Sequence, residues 1–207
     1  MATITKSKCR LCRREGMKLY LKGMRCETAK CGVSKRNYPP GERHWRRGKP
    51  SEYGAQLREK QKVRRMYGVM ERTFHAYYEK ATKAKGATGV ALLLMLESRL
   101  DNVLYRACFA ASRRQARMLV SHKQVSLNGR RVDRAGYQVL PGDAIAVAPG
   151  AMAVVRANAA SVVKARATPA WLQVDAENGK ITVALAPKRE DILEPVQEQL
   201  IVELYGK

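Results

Sequence analysis

Four cysteines near the start of the sequence have the spacing of a tetrahedral metal site. Cys9, Cys12, Cys26 and Cys31 form the pattern C-x2-C-x13-C-x4-C. Close pairs of thiolates separated by a loop suit a soft metal ion, and zinc is the usual metal in structural sites of this kind. Few apolar residues surround the cysteines, so a bound metal would supply folding free energy that a small core cannot. The spacing therefore predicts a structural zinc site.

Two other uses of these cysteines stay open. An iron–sulfur cluster is also held by four thiolates and fits the same spacing. Two disulfides would use the same residues, but the polar stretch from Met1 to Lys8 does not resemble an export signal. We therefore expect a cytosolic chain with reduced thiols. The fifth cysteine, Cys108, lies at the end of an apolar helical pattern and is interpreted as a small core residue.

Three arginines at the start of a predicted helix form a second candidate site. Ser112 and Gln115 match a capping box, which predicts that a helix begins at Ser112. Arg113, Arg114 and Arg117 then fall in its first turns, and we expect all three on one exposed face. The N–H groups and dipole of a helix start favour phosphate. A plain solvated basic face is the alternative.

The charge of the whole chain favours a polyanionic partner. Its 207 residues have a formal net charge of +22, and residues 1–65 alone hold 20 Lys or Arg against 5 Glu. Such a balance is typical of nucleic-acid-binding proteins. No apolar run approaches the length of a membrane-spanning helix. An apolar content of 45% is enough for a folded core, so the chain is not a disordered basic tail.

Short helices and strands must position these residues. Residues 98–147 predict two helices followed by short strands, with a type I′ turn at Asn128-Gly129 and a second turn at Pro141-Gly142. Further helices are predicted on either side of Tyr67-Gly68, and Thr88 is predicted to cap an apolar helix. The C-terminal third predicts a hairpin around Asn178-Gly179 and a last helix at about residues 196–205. Residues 157–167 fit either a helix or a strand.

Three further segments of the chain have distinctive motifs: K-C-R-L-C-R-R-E-G (8–16), S-E-Y-G-x-Q-L-R-E-K-Q-K (51–62) and T-G-x-x-L-L (88–93). Together with residues 98–147, they resemble the bacterial small-subunit ribosomal protein S-four family. Residues 98–147 resemble the RNA-binding module named after it, an αα-hairpin followed by a small β-sheet, and the three segments are similar to its other parts. The sequence departs from the family at residues 122–124, which are His-Lys-Gln instead of His-Gly-His. It departs again at residues 135–137, which are Ala-Gly-Tyr instead of Pro-Ser-Tyr.

The resemblance implies an α+β fold with three parts. Residues 1–45 would form a small metal-binding segment, built on the four cysteines, with a linker. Residues 46–97 would form a helical rRNA-binding domain, completed by a C-terminal helix within residues 190–207. Residues 98–189 would form the inserted RNA-binding module, an αα-hairpin with a small, mostly antiparallel β-sheet.

The resemblance also implies a function. The chain would be a structural constituent of the small ribosomal subunit in the cytoplasm and not an enzyme. It would bind a multi-helix junction in the 5′ domain of 16S ribosomal RNA and nucleate assembly of the 30S body. Its protein partners would be S-five, with a link to translational accuracy, and other small-subunit proteins; messenger RNA near the entry channel is a further expected partner. No membrane or small-molecule substrate is expected.

The expected rRNA contacts are mostly cations, with a capping serine and a turn asparagine. They are Arg13, Arg14, Arg46, Arg47, Arg58, Lys60, Lys62, Arg64, Arg65, Ser112, Arg113, Arg114, Arg117, Lys123, Asn128, Arg130 and Arg131.

Two alternative functions use the same module. Pseudouridine synthases have an aspartate in a similar R-L-D triplet, which here is Arg99-Leu100-Asp101. However, no separate catalytic domain fits in the chain, and an acid in the first turn of a helix has a simpler structural role. A stand-alone RNA-binding regulator is the other alternative, and the sequence does not separate it from a ribosomal protein.

Overall fold

The computed structural model describes residues 7–42, 51–162 and 166–206. Its helices are α1 (Lys8–Glu15), α2 (Gly32–Lys35), α3 (Glu52–Met66), α4 (Glu71–Thr82), α5 (Thr88–Glu97), α6 (Leu100–Arg106), α7 (Arg113–Ser121), α8 (Pro149–Val162) and α9 (Glu198–Tyr205). Its strands are β1 (Val125–Leu127), β2 (Arg130–Arg131), β3 (Ala144–Val147), β4 (Leu172–Asp175) and β5 (Lys180–Val183). Short 3₁₀ turns cover Gly23–Cys26 and Arg189–Asp191.

The described residues form two compact units. The first joins the residues up to Leu93 with those from Leu193 onward, and the second runs from Leu94 to Ile192. Helix α5 begins in the first unit and ends in the second. The second unit contains all five strands, which confirms the coarse expectation of a helical region combined with a small β-sheet.

In the first unit, α3 contacts α1, α4 and α9. It begins after Ser51, whose Oγ accepts a hydrogen bond from the N–H of Gly54 at 3.1 Å. It ends at Met66, and Gly68 beyond it has a φ of 64°, a left-handed conformation that glycine adopts readily. Apolar side chains buried in this unit include Val63, Met66, Tyr67, Phe74 and Leu92.

The C-terminal helix α9 packs against α3 through polar contacts. Gln56 of α3 donates from Nε2 to a carboxylate oxygen of Glu203 at 3.0 Å. The backbone N–H of Gln197 donates to Oε1 of Glu59 at 2.7 Å. At Gly89 in α5, an added Cβ would lie 2.8 Å from Cβ of Glu198, so this close approach requires glycine. These contacts join the two ends of the chain into one unit.

An aromatic cluster anchors the last residues of α9. The ring of Tyr205 stacks on that of Tyr78 with centroids 4.5 Å apart and meets His75 edge-on at 5.4 Å. Its hydroxyl donates to Oε1 of Glu71 at 3.1 Å, and Nζ of Lys60 lies 5.3 Å from the ring centroid. Burial and the nearby Glu71 carboxylate raise the pKa of the Tyr205 phenol, so it stays protonated as a donor at neutral pH.

In the second unit, a five-stranded antiparallel sheet packs with helices around one core. The strand order is β2-β1-β3-β5-β4. Leu100, Val103, Ala116, Val120 and Ile145 belong to this core, as their helical and strand spacing predicts. Between β1 and β2, two residues have positive φ, 50° at Asn128 and 80° at Gly129, which confirms the predicted type I′ turn.

Of residues 157–167, which fitted either a helix or a strand, residues 157–162 lie in helix α8, and residues 163–165 lie outside the described residues. Helix α8 ends at Val162, and its buried residues Ala151, Val155 and Ala159 recur every four positions, as expected for one helix face against a core. The predicted hairpin is confirmed as β4 and β5, joined through Gly179 with a φ of 63°. The predicted cap at Thr88 is wrong, because Thr88 is itself the first residue of α5.

Loss of the Tyr205 ring should loosen α9 from the first unit. We expect Tyr205→Ala to lower the free energy of unfolding by about 2–3 kcal/mol, because stacking and apolar burial are both lost. Tyr205→Phe keeps the ring and should cost only about 0.5–1.5 kcal/mol, the value of one hydrogen bond. Urea denaturation followed by circular dichroism measures both. Equal losses in the two variants would show that the hydroxyl, and not the ring, holds the helix.

Candidate nucleic-acid interface

Helix α7 begins as a capped helix start that presents Arg114 to solvent. Oγ of Ser112 accepts from the N–H of Gln115 at 3.3 Å, which confirms the cap. The other half of the predicted capping box differs: Oε1 of Gln115 accepts from the N–H of Ala111 at 2.8 Å, one residue before the cap. Arg114 follows the cap closely and is exposed.

The expectation that three arginines share an exposed face is wrong for Arg113. Its side chain is buried, and Nε donates to Oδ1 of Asn102 at 2.7 Å. Its guanidinium lies 4.3 Å from the centroid of the Tyr105 ring. The reason is helix phase: Arg113 is on the same stripe as the core residues Ala116 and Val120.

Arg117 is held by an aspartate rather than pointing freely to solvent. Its Nη2 lies 2.6 Å from Oδ2 of Asp101, and the Arg117 side chain is only 14% exposed. Arg99 contacts the same carboxylate at 2.9 Å. Asp101 is therefore buried between two guanidinium groups. This ion pairing gives the aspartate a structural role that requires no catalytic function.

A second buried carboxylate, Glu97, was not singled out from the sequence. Its Oε1 accepts from Arg106 at 2.7 Å, and Oε2 accepts from Asn102 at 2.6 Å. Asn102 thereby links Glu97 to Arg113 in one hydrogen-bonded network. No motif marks these residues, and the only signal is the density of polar residues inside an otherwise apolar helical pattern.

Further exposed cations of the second unit lie after the start of α7 in the sequence. Lys123 lies just after α7 with a φ of 57°, and Arg130 and Arg131 form the exposed strand β2. Arg134, which was not predicted, is also exposed. Asn128 differs, because its side chain bonds Asp143 and the N–H of Ala144, each at 2.8 Å. Its amide therefore fastens the turn to β3.

The five cations predicted as RNA contacts on α3 are paired with carboxylates of the first unit. Arg58 and Arg65 contact Glu15, Lys60 and Arg64 contact Glu71, and Lys62 contacts Glu59. Burial raises the pKa of the Glu71 carboxyl, but the hydrogen bond and charge of Lys60 outweigh this effect, so the pKa is below its ordinary value. These pairs give the five cations a structural role, and their contact with RNA stays a prediction. The predicted contacts Arg46 and Arg47 lie outside the described residues.

At the end of α1, hydrogen bonds hold the side chain of Arg13, whereas the neighbouring Arg14 is exposed. Arg13 donates from Nε to the carbonyl of Tyr38 at 2.8 Å and from Nη2 to that of Pro39 at 3.2 Å. Arg14 is exposed and, among the described residues, makes no hydrogen bond or ion pair.

The four clustered cysteines line one pocket between α1, the first 3₁₀ turn and α2. All are thiols without disulfides, and three of them are buried. An added Cβ at Gly32 would lie 2.9 Å from Cβ of Cys9, so α1 and α2 approach each other closely there. Within the part of the chain that the structure describes, no group of three or more His, Cys, Asp or Glu side chains has an arrangement that could hold a metal ion.

The thiols of this pocket differ in acidity. Burial raises the pKa of Cys12 to about 11 and also raises that of Cys26. Burial acts in the same direction on Cys31, but hydrogen bonds from the backbone N–H groups of Ser34 and Val33 outweigh it, so the pKa of Cys31 is lowered. Cys12 and Cys26, whose pKa values are raised, therefore stay protonated at neutral pH unless a nearby cation favours their thiolates.

The two neighbouring arginines of α7 should respond differently to substitution. Arg113→Gln should lower the free energy of unfolding by about 2–3 kcal/mol, because it leaves Asn102 without its donor and removes the cation–π contact. Arg114→Gln, the matched control on the exposed side, should change it by less than about 0.5 kcal/mol. Urea titration of the purified protein without RNA tests both values. A similar loss of stability in both variants would contradict the finding that Arg113 is buried and Arg114 is exposed.

Comparison with known proteins identifies the family. Residues 3–97 match the family described as Ribosomal protein S4/S9 N-terminal domain, and residues 98–145 match the S4 domain. The chain is 54% identical over its full length to small ribosomal subunit protein uS4 of Thermodesulfovibrio yellowstonii, all of which is covered. It is 51% identical to uS4 of Geobacter metallireducens, also over both full lengths, and 52% identical to uS4 of Thermus thermophilus over 96% of each chain. The chain therefore belongs to the uS4 family of small ribosomal subunit proteins.

Proposed function

We propose that this chain is a structural component of the small ribosomal subunit, where it binds 16S ribosomal RNA. The observation that carries the proposal is the full-length relationship to uS4 proteins at 51–54% identity. The capped start of α7, with exposed Arg114, supports it physically, because helix N–H groups and an arginine together favour phosphate. The exposed Lys123, Arg130 and Arg131 extend this cationic surface within the second unit.

Binding would depend on phosphate and on RNA shape. The major groove of A-form RNA is too narrow for side chains to read, so proteins contact phosphates, 2′-hydroxyl groups and unstacked bases. The charge of +22 would neutralise phosphates of RNA helices that otherwise repel each other. We infer a multi-helix junction in the 5′ domain as the target, where such neutralisation nucleates assembly of the 30S body.

We also infer contacts with other proteins of the small subunit in the cytoplasm, among them S-five, and with messenger RNA near its entry channel. Glu203 on α9, which is exposed although one of its carboxylate oxygens accepts from Gln56, supports a protein partner, because a carboxylate would repel RNA. Among the helices of the described residues, none combines the length and the apolar content of a membrane span.

The position of Asp101, the one catalytic candidate, argues against an enzyme. Asp101 is buried and ion-paired with Arg99 and Arg117, so its carboxylate is held as a structural group inside the second unit. A catalytic aspartate must reach a substrate atom, which a carboxylate enclosed by two guanidinium groups does not.

We propose in addition that Cys9, Cys12, Cys26 and Cys31 bind a structural zinc ion. The support is that all four thiols line the same pocket, although they are spread over 23 residues of sequence. Binding would require the sulfurs to converge on the ion and Cys12 and Cys26 to lose their protons, which the charge of the ion favours. An iron–sulfur cluster would use the same four ligands.

Neutralising the exposed cations should weaken RNA binding in a salt-dependent way. We expect Arg114→Gln, Lys123→Gln and Arg131→Gln each to reduce the slope of log affinity against log salt by about one, if each contacts one phosphate. Filter binding of a 16S 5′-domain junction RNA at several salt concentrations measures this. The matched control is Lys180→Gln, an exposed lysine on β5. Unchanged slopes in all three variants would contradict the proposed surface, and failure of the unaltered protein to bind would contradict the proposed function.

The zinc proposal has a control within the same chain. The freshly purified protein should contain about one metal ion per chain by elemental analysis, and Cys12→Ser should lose it, because a tetrahedral thiolate site needs four ligands. Cys108→Ala should keep the metal, since Cys108 lies in the second unit and does not line the pocket. Absence of both zinc and iron from the unaltered protein would overturn the proposal, and iron with sulfide would identify the cluster instead.

A further inference from the structure

A cavity at the end of α1 combines an aromatic ring, two arginines and an asparagine. It has a volume of about 340 Å³, and Arg13, Arg14, Asn37, Tyr38 and Pro39 contribute to its walls. Cavities of this size fit a small organic ligand. The residues come from α1 and from the segment after α2, both in the first unit. None of Asn37, Tyr38 and Pro39 belongs to a sequence motif discussed above.

Arg13 and Tyr38 form a cation–π pair on the cavity wall. The guanidinium of Arg13 lies 4.7 Å from the centroid of the Tyr38 ring. Two hydrogen bonds to successive carbonyls, those of Tyr38 and Pro39, hold the guanidinium in this position. Tyr38 nevertheless remains 36% exposed. The two hydrogen bonds thus restrict the Arg13 side chain before a ligand arrives, which lowers the entropic cost of binding.

The polar groups around this pair suit an anion and a hydrogen-bonding edge. Arg14 is an exposed cation, and Asn37 is an exposed amide with both donor and acceptor atoms; neither has a hydrogen-bond partner among the described residues. The one carboxylate of the cavity lining, that of Glu15, is only 2% exposed and paired with Arg58 and Arg65. It is turned away from solvent and neutralised, so it does not repel an anionic ligand.

We propose that this cavity receives a single unstacked nucleotide of the bound RNA. The base would pack against the Arg13–Tyr38 pair, its edge would contact the amide of Asn37, and its phosphate would contact Arg14. Aromatic rings and guanidinium planes are the surfaces on which proteins stack splayed-out bases, and a nucleotide is the ligand that combines a flat ring, a polar edge and a negative charge. The proposal rests on the proposed function for the identity of the RNA.

Three variants of the full chain and one control variant, titrated with the 16S 5′-domain junction RNA, test the proposal. Tyr38→Ala should weaken binding by about 5- to 150-fold, the range for loss of one stacked base, with the salt slope unchanged because no phosphate contact is lost. Tyr38→Phe keeps the ring and should bind within about 2-fold of the unaltered protein. Arg14→Gln should instead lower the salt slope by about one, while Lys35→Gln, an exposed lysine that does not line the cavity, serves as its control.

A second measurement locates the nucleotide and then alters the RNA instead of the protein. Base-reactivity footprinting should reveal a nucleotide that the unaltered protein and Tyr38→Phe protect and that Tyr38→Ala leaves reactive. An abasic substitution at that nucleotide should weaken binding of the unaltered protein to the same degree, and combining it with Tyr38→Ala should add nothing further.

The possible failures are distinguishable. If the unaltered protein does not bind the junction RNA, the proposed function fails. If it binds and Tyr38→Ala binds equally well, or if no nucleotide loses protection in that variant, only the nucleotide cavity is overturned. A salt slope that falls in Tyr38→Ala would also overturn it, because the variant would then have lost phosphate contacts rather than stacking.

Discussion

The fold of this basic chain depends on a few carboxylates that hold its own cations. The sequence has 40 Lys and Arg but only 18 Asp and Glu, so like-charge repulsion opposes a compact state. Removing one partner of a buried ion pair typically costs about 3–5 kcal/mol, because the other charge is left without compensation. Four buried carboxylates have this role here: Glu15 and Glu59 in the first unit, and Glu97 and Asp101 in the second. Glu71, which is half exposed, pairs with Lys60 and Arg64 in the same way but with more screening by water.

These pairs divide the cations into two groups with different roles. One group, which includes Arg64, Arg65 and Arg117, is paired inside a unit and contributes to its stability. The other group, which includes Arg114, Lys123 and Arg131, is exposed and available to a polyanion. A basic residue is therefore evidence for RNA contact only once its internal partners are known. The net charge of the chain predicts the class of partner, while the pairing decides which side chains meet it.

Local pattern was sufficient for much of the fold. The apolar spacing of the central helices, the Ser112 cap and the Asn128-Gly129 turn predicted elements that the structure contains. Residues 157–162 of the undecided segment lie in α8. Small and branched residues fit a helix face as well as a strand face, and only the neighbouring core selects between them. The prediction that Arg113 is exposed was wrong for a related reason. Sequence spacing relates residues on a helix to each other but does not show which side of the helix faces the core.

The sequence by itself determined the class of partner, the family motifs and several of the helices, turns and strands, because these depend on composition and on residues close together in the chain. Only the tertiary structure brought Arg13 beside Tyr38, Glu15 beside Arg65 and Asp101 beside Arg117. These contacts join residues 16 to 50 positions apart, and they depend on how helices pack, which no local pattern encodes. The buried carboxylates and the cavity at the end of α1 are therefore properties of the packed chain.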